Sequence, residues 1–177
     1  MVRTLALLMG ALVAVSAALP ASAHGPTRKK YAETIEINAP ADKVWAVIGN
    51  FADWSWHPAI EKTEATGNAV DATRVLTLKG GGKINEKMTK RDDAKRTLSY
   101  EITDVDVKVL PVNQYASTVT VTDADGKSKV EWKSSFYRGY MQNDPPPELN
   151  EEAAIKAVSG VYKSGLEALK AKLEAGG

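Results

Sequence analysis

The chain of 177 residues contains no cysteine, only two histidines and only two phenylalanines, and its 23 Lys and Arg nearly balance its 22 Asp and Glu. The missing thiols exclude disulfides, thiol nucleophiles, covalent heme attachment and cysteine-ligated metals. The fold must therefore rest on an apolar core, which a domain of roughly 150 residues can supply. Balanced charge without a basic stripe excludes the electrostatic footprint of a nucleic-acid binder. Long apolar runs are equally scarce. The single one, residues 5–19, follows Arg3 and ends just before Ala21-Ser22-Ala23. A positive start, a short apolar stretch and a small-residue cleavage site describe a secretory signal peptide over residues 1–23, too short for a membrane span. The expected compartment is the bacterial periplasm.

Cleavage after Ala23 removes one charged residue, Arg3, and leaves a formally neutral protein beginning at His24. Residues 24–30, with the cluster Arg28-Lys29-Lys30, are expected to form a flexible tail, and residues 31–175 a single domain. A new N-terminal histidine has the chemistry of a copper chelate. Only His57 could add a second imidazole, so no metal and no cofactor is expected.

The most informative segment is residues 44–58, VWAVIGNFADWSWHP, which holds three of the four tryptophans and His57. Concentrated aromatic surface either closes a core or lines a pocket. Before it, residues 31–37 alternate as a strand, and Pro40 opens a helix whose apolar face is Val44, Trp45, Val47, Ile48 and Phe51. Residues 52–60 read as a short turn or second helix limited by Pro58. The period then becomes two, with strands expected over 60–66, 74–79, 83–90, 96–103, 115–122 and 128–137. They are separated by turn chemistry at Gly67-Asn68, Gly80-Gly81-Gly82, Arg91-Asp92-Asp93 and Asp123-Ala124-Asp125-Gly126. After Pro145-Pro146-Pro147 a long helix carries Ile155, Val158, Tyr162, Leu166, Leu169 and Leu173 as one stripe, with Gly160 and Gly165 inside it. The class is α+β: a curved seven-stranded antiparallel sheet wrapping a long C-terminal helix, with two short helices between strands 1 and 2.

This order resembles the helix-grip fold of the START and Bet v 1-like superfamily, over nearly all of the mature chain. The carriers are Ala39-Pro40-Ala41-Asp42-Lys43-Val44-Trp45, Trp56-His57-Pro58, the run from Gly81 to Met88, Leu98-Ser99-Tyr100-Glu101-Ile102, Leu110-Pro111-Val112 and the run from Val130 to Phe136. Together they resemble the polyketide cyclase/dehydrase-like (SRPBCC) branch. An exported, cysteine-free member is most similar to the periplasmic group that assists bacterial methanol oxidation. That likeness implies methanol dehydrogenase and its cytochrome c electron acceptor as partners, and no catalysis. A carrier of a hydrophobic ligand such as a lipid, quinone or polyketide is the alternative, and a cyclase- or hydratase-like enzyme a third.

Strand parity places Ile84, Glu86 and Met88 on one face, with Leu98, Tyr100 and Ile102, then Tyr115, Val119 and Val121, then Val130, Trp132, Ser134 and Phe136. Candidate pocket residues are Trp56, His57, Glu86, Met88, Tyr100, Tyr115, Trp132, Phe136 and Tyr162. Glu86 is either a pocket carboxylate raised in pKa by burial, or a structural partner of a tyrosine or lysine. His57 is an acid–base group at the pocket mouth or, more simply, the cap of a turn, with no serine or cysteine partner for a hydrolytic triad. Trp54 is a candidate exposed anchor for a partner protein if it does not join Trp56 in closing the core.

Overall fold

The computed structural model describes residues 25–175; the expected signal peptide and His24 lie outside the described residues. Seven antiparallel strands form one sheet: β1 (Lys29–Ile37), β2 (Ile60–Ala65), β3 (Thr73–Leu78), β4 (Lys83–Asp92), β5 (Thr97–Val105), β6 (Val112–Ala124) and β7 (Lys127–Arg138), in the spatial order β1-β7-β6-β5-β4-β3-β2. Helix α1 (Ala41–Ile48) follows β1, and α2 (Glu151–Glu174) follows β7 after a single 3₁₀ turn at Pro147–Leu149. β1 starts at Lys29, so the last two residues of the expected tail belong to the sheet, and Arg28 donates to Ser135. Among the described residues no helix is long and apolar enough to cross a membrane.

The meander follows from the turns. Asp125 and Gly126 both have positive φ, 52° and 82°, and they join Ala124 to Lys127 in the two-residue loop that suits a twisted hairpin. At the β3–β4 turn a Cβ on Gly82 would lie 2.5 Å from Val109, so the loop between β5 and β6 can close over a residue without a side chain. β4 carries two register shifts and β6 one, where Gln114 takes a positive φ of 46°. Such bulges sharpen the twist that lets the sheet curl. β5 and β6 pair only from Thr97↔Thr120 to Glu101↔Ala116, so beyond Glu101 the two strands part.

Helix α1 buries Ala41, Val44 and Ile48 and stops at Gly49, where the Gly49-Asn50 pair is expected to end it. A Cβ there would sit 2.6 Å from the Trp45 carbonyl oxygen and 2.7 Å from its ring. The expected second short helix is absent. Residues 49–59 instead form successive turns in which side chains take the backbone donors a helix would need: Asn50 Oδ1 accepts from Ala52, and Asp53 Oδ1 from Ser55. Local bonds of this kind compete with helix, and Pro58 supplies no donor at all.

Helix α2 is capped by Asn150, which accepts from the Ala153 N–H at 2.8 Å, and its first turn carries Glu151 and Glu152 where the helix dipole favours them. Its buried face is Ala154, Val158, Tyr162, Gly165, Leu166 and Leu169. Ile155, placed on that stripe by spacing, is instead 37% exposed, because Ala154 turns inward. Of the two glycines only Gly165 faces the core; Gly160 looks onto open space.

The two glycines give opposite expectations. Gly165→Ala would place its Cβ 2.5 Å from His57 Cδ2 and 3.2 Å from the Trp132 ring. Overpacking of this kind is expected to cost about 1–3 kcal/mol. Gly160→Ala, in a solvent-facing helix interior, is expected to stabilise by roughly 0.5–1 kcal/mol. Urea unfolding of both variants beside the parent protein measures the two signs; equal effects would contradict the packing described.

Candidate functional site

The interior beneath α2 is organised by a charge. Arg74 on β3 lies opposite Glu86 on β4, and both point inward with Leu76, Ile84 and Met88. Arg74 Nε donates to Glu86 Oε2 at 2.5 Å, with side chains 0% and 5% exposed. Its Nη1 donates to the Phe51 carbonyl at 3.2 Å. The guanidinium carbon sits 3.7 Å from the Trp54 ring centroid, 4.1 Å from that of Phe51 and 5.0 Å from that of Tyr100. Three aromatic faces thus replace water around a cation that cannot lose its proton. Burial pushes the Glu86 carboxyl above its ordinary range, while the Arg74 charge and hydrogen bond pull it back down. The partner of Glu86 is therefore neither tyrosine nor lysine but an arginine that the sequence reading passed over. Its parity with Leu76 and Leu78 on β3 was the signal that marked it as inward.

A second polar layer links the sheet to α2. The Tyr115 and Tyr162 hydroxyls meet at 2.5 Å, and Tyr162 also meets Ser117 Oγ at 2.9 Å. Ser117 donates to the Lys133 carbonyl at 3.0 Å, and Trp132 Nε1 donates to both Ser117 Oγ and the Tyr100 hydroxyl at 2.9 and 3.0 Å. The Trp132 and Tyr162 rings stack at 4.1 Å. Burial raises the Tyr162 hydroxyl to about 12 and those of Tyr100 and Tyr115 well above their usual value. All three stay protonated near neutral pH and act as hydrogen-bonding spacers.

His57 is 2% exposed and uses both ring nitrogens: Nε2–H donates to the Val161 carbonyl of α2 at 3.0 Å, and Nδ1 accepts from the Ala59 N–H at 3.2 Å. This arrangement admits only the neutral ring. Burial lowers its pKa, partly opposed by the Val161 bond, with the Arg74 charge adding to the fall. His57 is thus a clasp between the 49–59 turns and α2, and Gly165 is the gap that lets the ring in.

These layers leave little room. A cavity of about 80 Å³ remains, lined among others by Trp54, His57, Glu86, Tyr100, Tyr115 and Trp132, with half-buried Leu78, Ile102, Val109 and Val161 also on its wall. Five of the nine expected pocket residues line it; Trp56, Met88, Phe136 and Tyr162 belong to the packed core around it. Trp54, the candidate exposed anchor, is corrected: it is 2% exposed, with its ring 5.3 Å from Trp132, 5.2 Å from Trp56 and over the Arg74 cation. An open trough of about 670 Å³ crosses the outer face of the sheet over small residues such as Ala32, Ser99, Thr118 and Ser135. Among the described residues no group of three or more His, Asp or Glu side chains could hold a metal ion.

Two measurements check this geometry. Glu86→Ala leaves Arg74 charged and unpaired in the core, and is expected to cost about 3–5 kcal/mol; replacing both residues, as Arg74→Met with Glu86→Leu, is expected to cost much less. Chemical denaturation of the single and double variants reads the difference. For His57, the unfolded ring titrates near 6.5 and the folded ring below that. The unfolded chain therefore binds more protons below about pH 6.5, so the stability His57 contributes is complete above that value and is lost as the pH falls toward the folded pKa. Glu86, raised on folding, acts in the opposite direction, so the comparison is with His57→Gln: the stability gap between parent and variant should shrink from about pH 7.5 to about pH 5.5.

No curated protein matches the chain by sequence. Among solved structures, one of a protein from Bacillus thuringiensis superposes with a TM-score of 0.69 at 28% identity, covering 82% of this chain and 98% of that one. The protein XoxI from Bacillus cereus gives a TM-score of 0.69 at 28% identity, covering 81% and 94%. Norcoclaurine synthase from Thalictrum flavum, solved with dopamine and hydroxybenzaldehyde, gives 0.62 at 17% identity, covering 85% and 89%, which is a likeness of fold alone. Residues 28–174 match the profile of one family throughout, and the chain belongs to it: polyketide cyclase/dehydrase and lipid transport.

Proposed function

We propose that this protein is an exported, non-enzymatic accessory protein of methanol oxidation, similar to MxaD, acting by contact with methanol dehydrogenase or its cytochrome c acceptor. The observation that carries the reading is the filled interior. A cavity of about 80 Å³ is far below the ~300–1,000 Å³ of ordinary small-molecule sites. A lipid, quinone or polyketide has no space beneath α2, so a role through the protein surface fits better than cargo transport. The polar groups with acid–base chemistry already have partners: Glu86 Oε2 has Arg74, His57 has two backbone groups, and Tyr115 has Tyr162. The export signal read in residues 1–23 supports the compartment in which methanol oxidation takes place.

A second reading, a carrier for a small hydrophobic ligand, is favoured by the apolar residues Leu78, Ile102, Val109 and Val161 on the cavity wall. Deletion of the gene in its host separates the two. Under the accessory role, methanol-dependent oxygen uptake falls while succinate-dependent uptake is unchanged. Unaltered electron flow from methanol to cytochrome c would sink the proposal.

A further inference from the structure

A row of oxidisable rings crosses the interior from one surface to another. Trp56 is 8% exposed and borders a shallow surface cleft with Asp53, Ser55 and Lys172. Its ring centroid lies 6.5 Å from that of Trp132, which stacks on Tyr162 at 4.1 Å and 13°. Tyr162 in turn meets the half-buried Tyr31, on the edge strand β1, at 5.7 Å. At that far end the Tyr31 hydroxyl donates to Glu33 Oε2 at 2.5 Å. Aromatic packing explains the contacts; the placement of bases along the row gives it a direction. The Trp56 indole N–H is buried with no acceptor among the described residues. That of Trp132 goes to two neutral hydroxyls, and the Tyr162 hydroxyl meets only those of Tyr115 and Ser117. In this row Tyr31 is the member whose proton is held by a carboxylate. Burial, the Glu33 hydrogen bond and the Glu33 charge raise its pKa to about 12, so the proton stays on the phenol at rest.

We propose that this row carries a one-electron vacancy from Trp56 to Tyr31, so that the protein is oxidised at its rim and not in its core. A one-electron oxidant of the oxygen-radical or metal-complex class takes an electron from Trp56 and is itself reduced by one electron. The stacked pair of Trp132 and Tyr162 refills Trp56, and Tyr31 refills the pair. As Tyr31 loses its electron, its O–H proton passes along the existing hydrogen bond to Glu33, leaving a neutral phenoxyl radical and a carboxylic acid. An oxidised phenol is a much stronger acid than the phenol, so this transfer makes Tyr31 the low point of the row. The indoles have no such base, keep their protons when oxidised and pass the vacancy on. Trp54 lies closer to Trp56, at 5.2 Å, but the Arg74 guanidinium 3.7 Å from its ring centroid repels a positive charge there. The route therefore runs from Trp56 directly to Trp132. A one-electron donor such as a hydroquinone resets the half-buried Tyr31, with Glu33 returning the proton. The inference rests on the row of rings and not on the accessory role, so either can fail while the other stands.

The lack of native cysteine supplies the test. Ser55→Cys, at an exposed turn position beside Trp56, is a single attachment point for a ruthenium polypyridyl photo-oxidant. Trp45→Phe in the same chain removes the one tryptophan outside the interior cluster. Flash oxidation, read by transient absorption and by freeze-quench EPR, is expected to give a tyrosyl radical that is lost in Tyr31→Phe. Tyr162→Phe keeps the stacked ring without its phenol, and the tyrosyl signal should give way to a longer-lived tryptophan radical. Glu33→Gln removes the base, so the tyrosyl yield should fall and recover as the concentration of an external buffer base is raised. A tyrosyl radical that survives Tyr31→Phe, a yield untouched by Glu33→Gln, an unchanged rate in Tyr162→Phe, or no radical beyond Trp56 would each overturn the proposal. Near-UV circular dichroism checks that each variant keeps its aromatic packing. Tyr31→Phe and Glu33→Gln, both at half-buried positions on the edge strand, decide the matter if Tyr162→Phe does not fold.

Discussion

A guanidinium buried among aromatic rings dictates the arrangement of everything around it. Arg74 cannot shed its charge, so the structure must supply an anion, an acceptor and polarisable surface within a few ångströms. Glu86 is the anion, the Phe51 carbonyl is the acceptor, and the rings of Phe51, Trp54 and Tyr100 are the surface. These groups come from β3, β4, β5 and the 49–59 turns. The pair therefore ties a non-regular segment, which makes few backbone hydrogen bonds of its own, to the middle of the sheet. Such a pair is weak evidence for net stability, because desolvation offsets much of the attraction. Its effect is to permit one placement of residues 51–54 and to penalise others.

From that placement the attachment of α2 follows. With Trp54 over Arg74, the next residues carry His57 under the helix, where its neutral ring joins Val161 to Ala59. Gly165 admits the ring, Trp132 stacks on Tyr162, and the Tyr115–Tyr162–Ser117 chain completes the seam. A helix held by so many matched contacts leaves a small cavity rather than a lipid-sized one. In a family described by polyketide cyclase/dehydrase and lipid transport, that is a physical limit on cargo, whatever the protein's surface engages.

Much of this was legible in the sequence, and the boundary is instructive. Period-two alternation correctly placed Glu86, Tyr100, Tyr115, Trp132 and Phe136 inside, because a strand offers each residue one of two faces. The same rule applied to Arg74 would have placed it beside Leu76; a charged residue at an inward position reads as an interruption until its partner is seen. Residues 49–59 were less legible. No period governs a chain of turns, so neither the missing helix nor the burial of Trp54 could be read from spacing. Ile155 shows the same limit on α2: two adjacent positions on a stripe differ by 100° of rotation, and packing rather than pattern chose Ala154.

The amino-acid sequence by itself determined the number and order of strands, the hairpin turns, the two helices that survive and the inward face of the sheet. These depend on backbone chemistry and periodicity, which act over a few residues. Only the tertiary structure decided the pairing of Arg74 with Glu86, the neutral bridging role of His57 and the size of the cavity. Each depends on side chains brought together from distant segments, where desolvation and close packing, which no local pattern records, determine the outcome. The aromatic run from Val44 to Pro58 stands on both sides of that line: its composition was plain from the start, and its purpose became visible only once a buried cation was found beneath it.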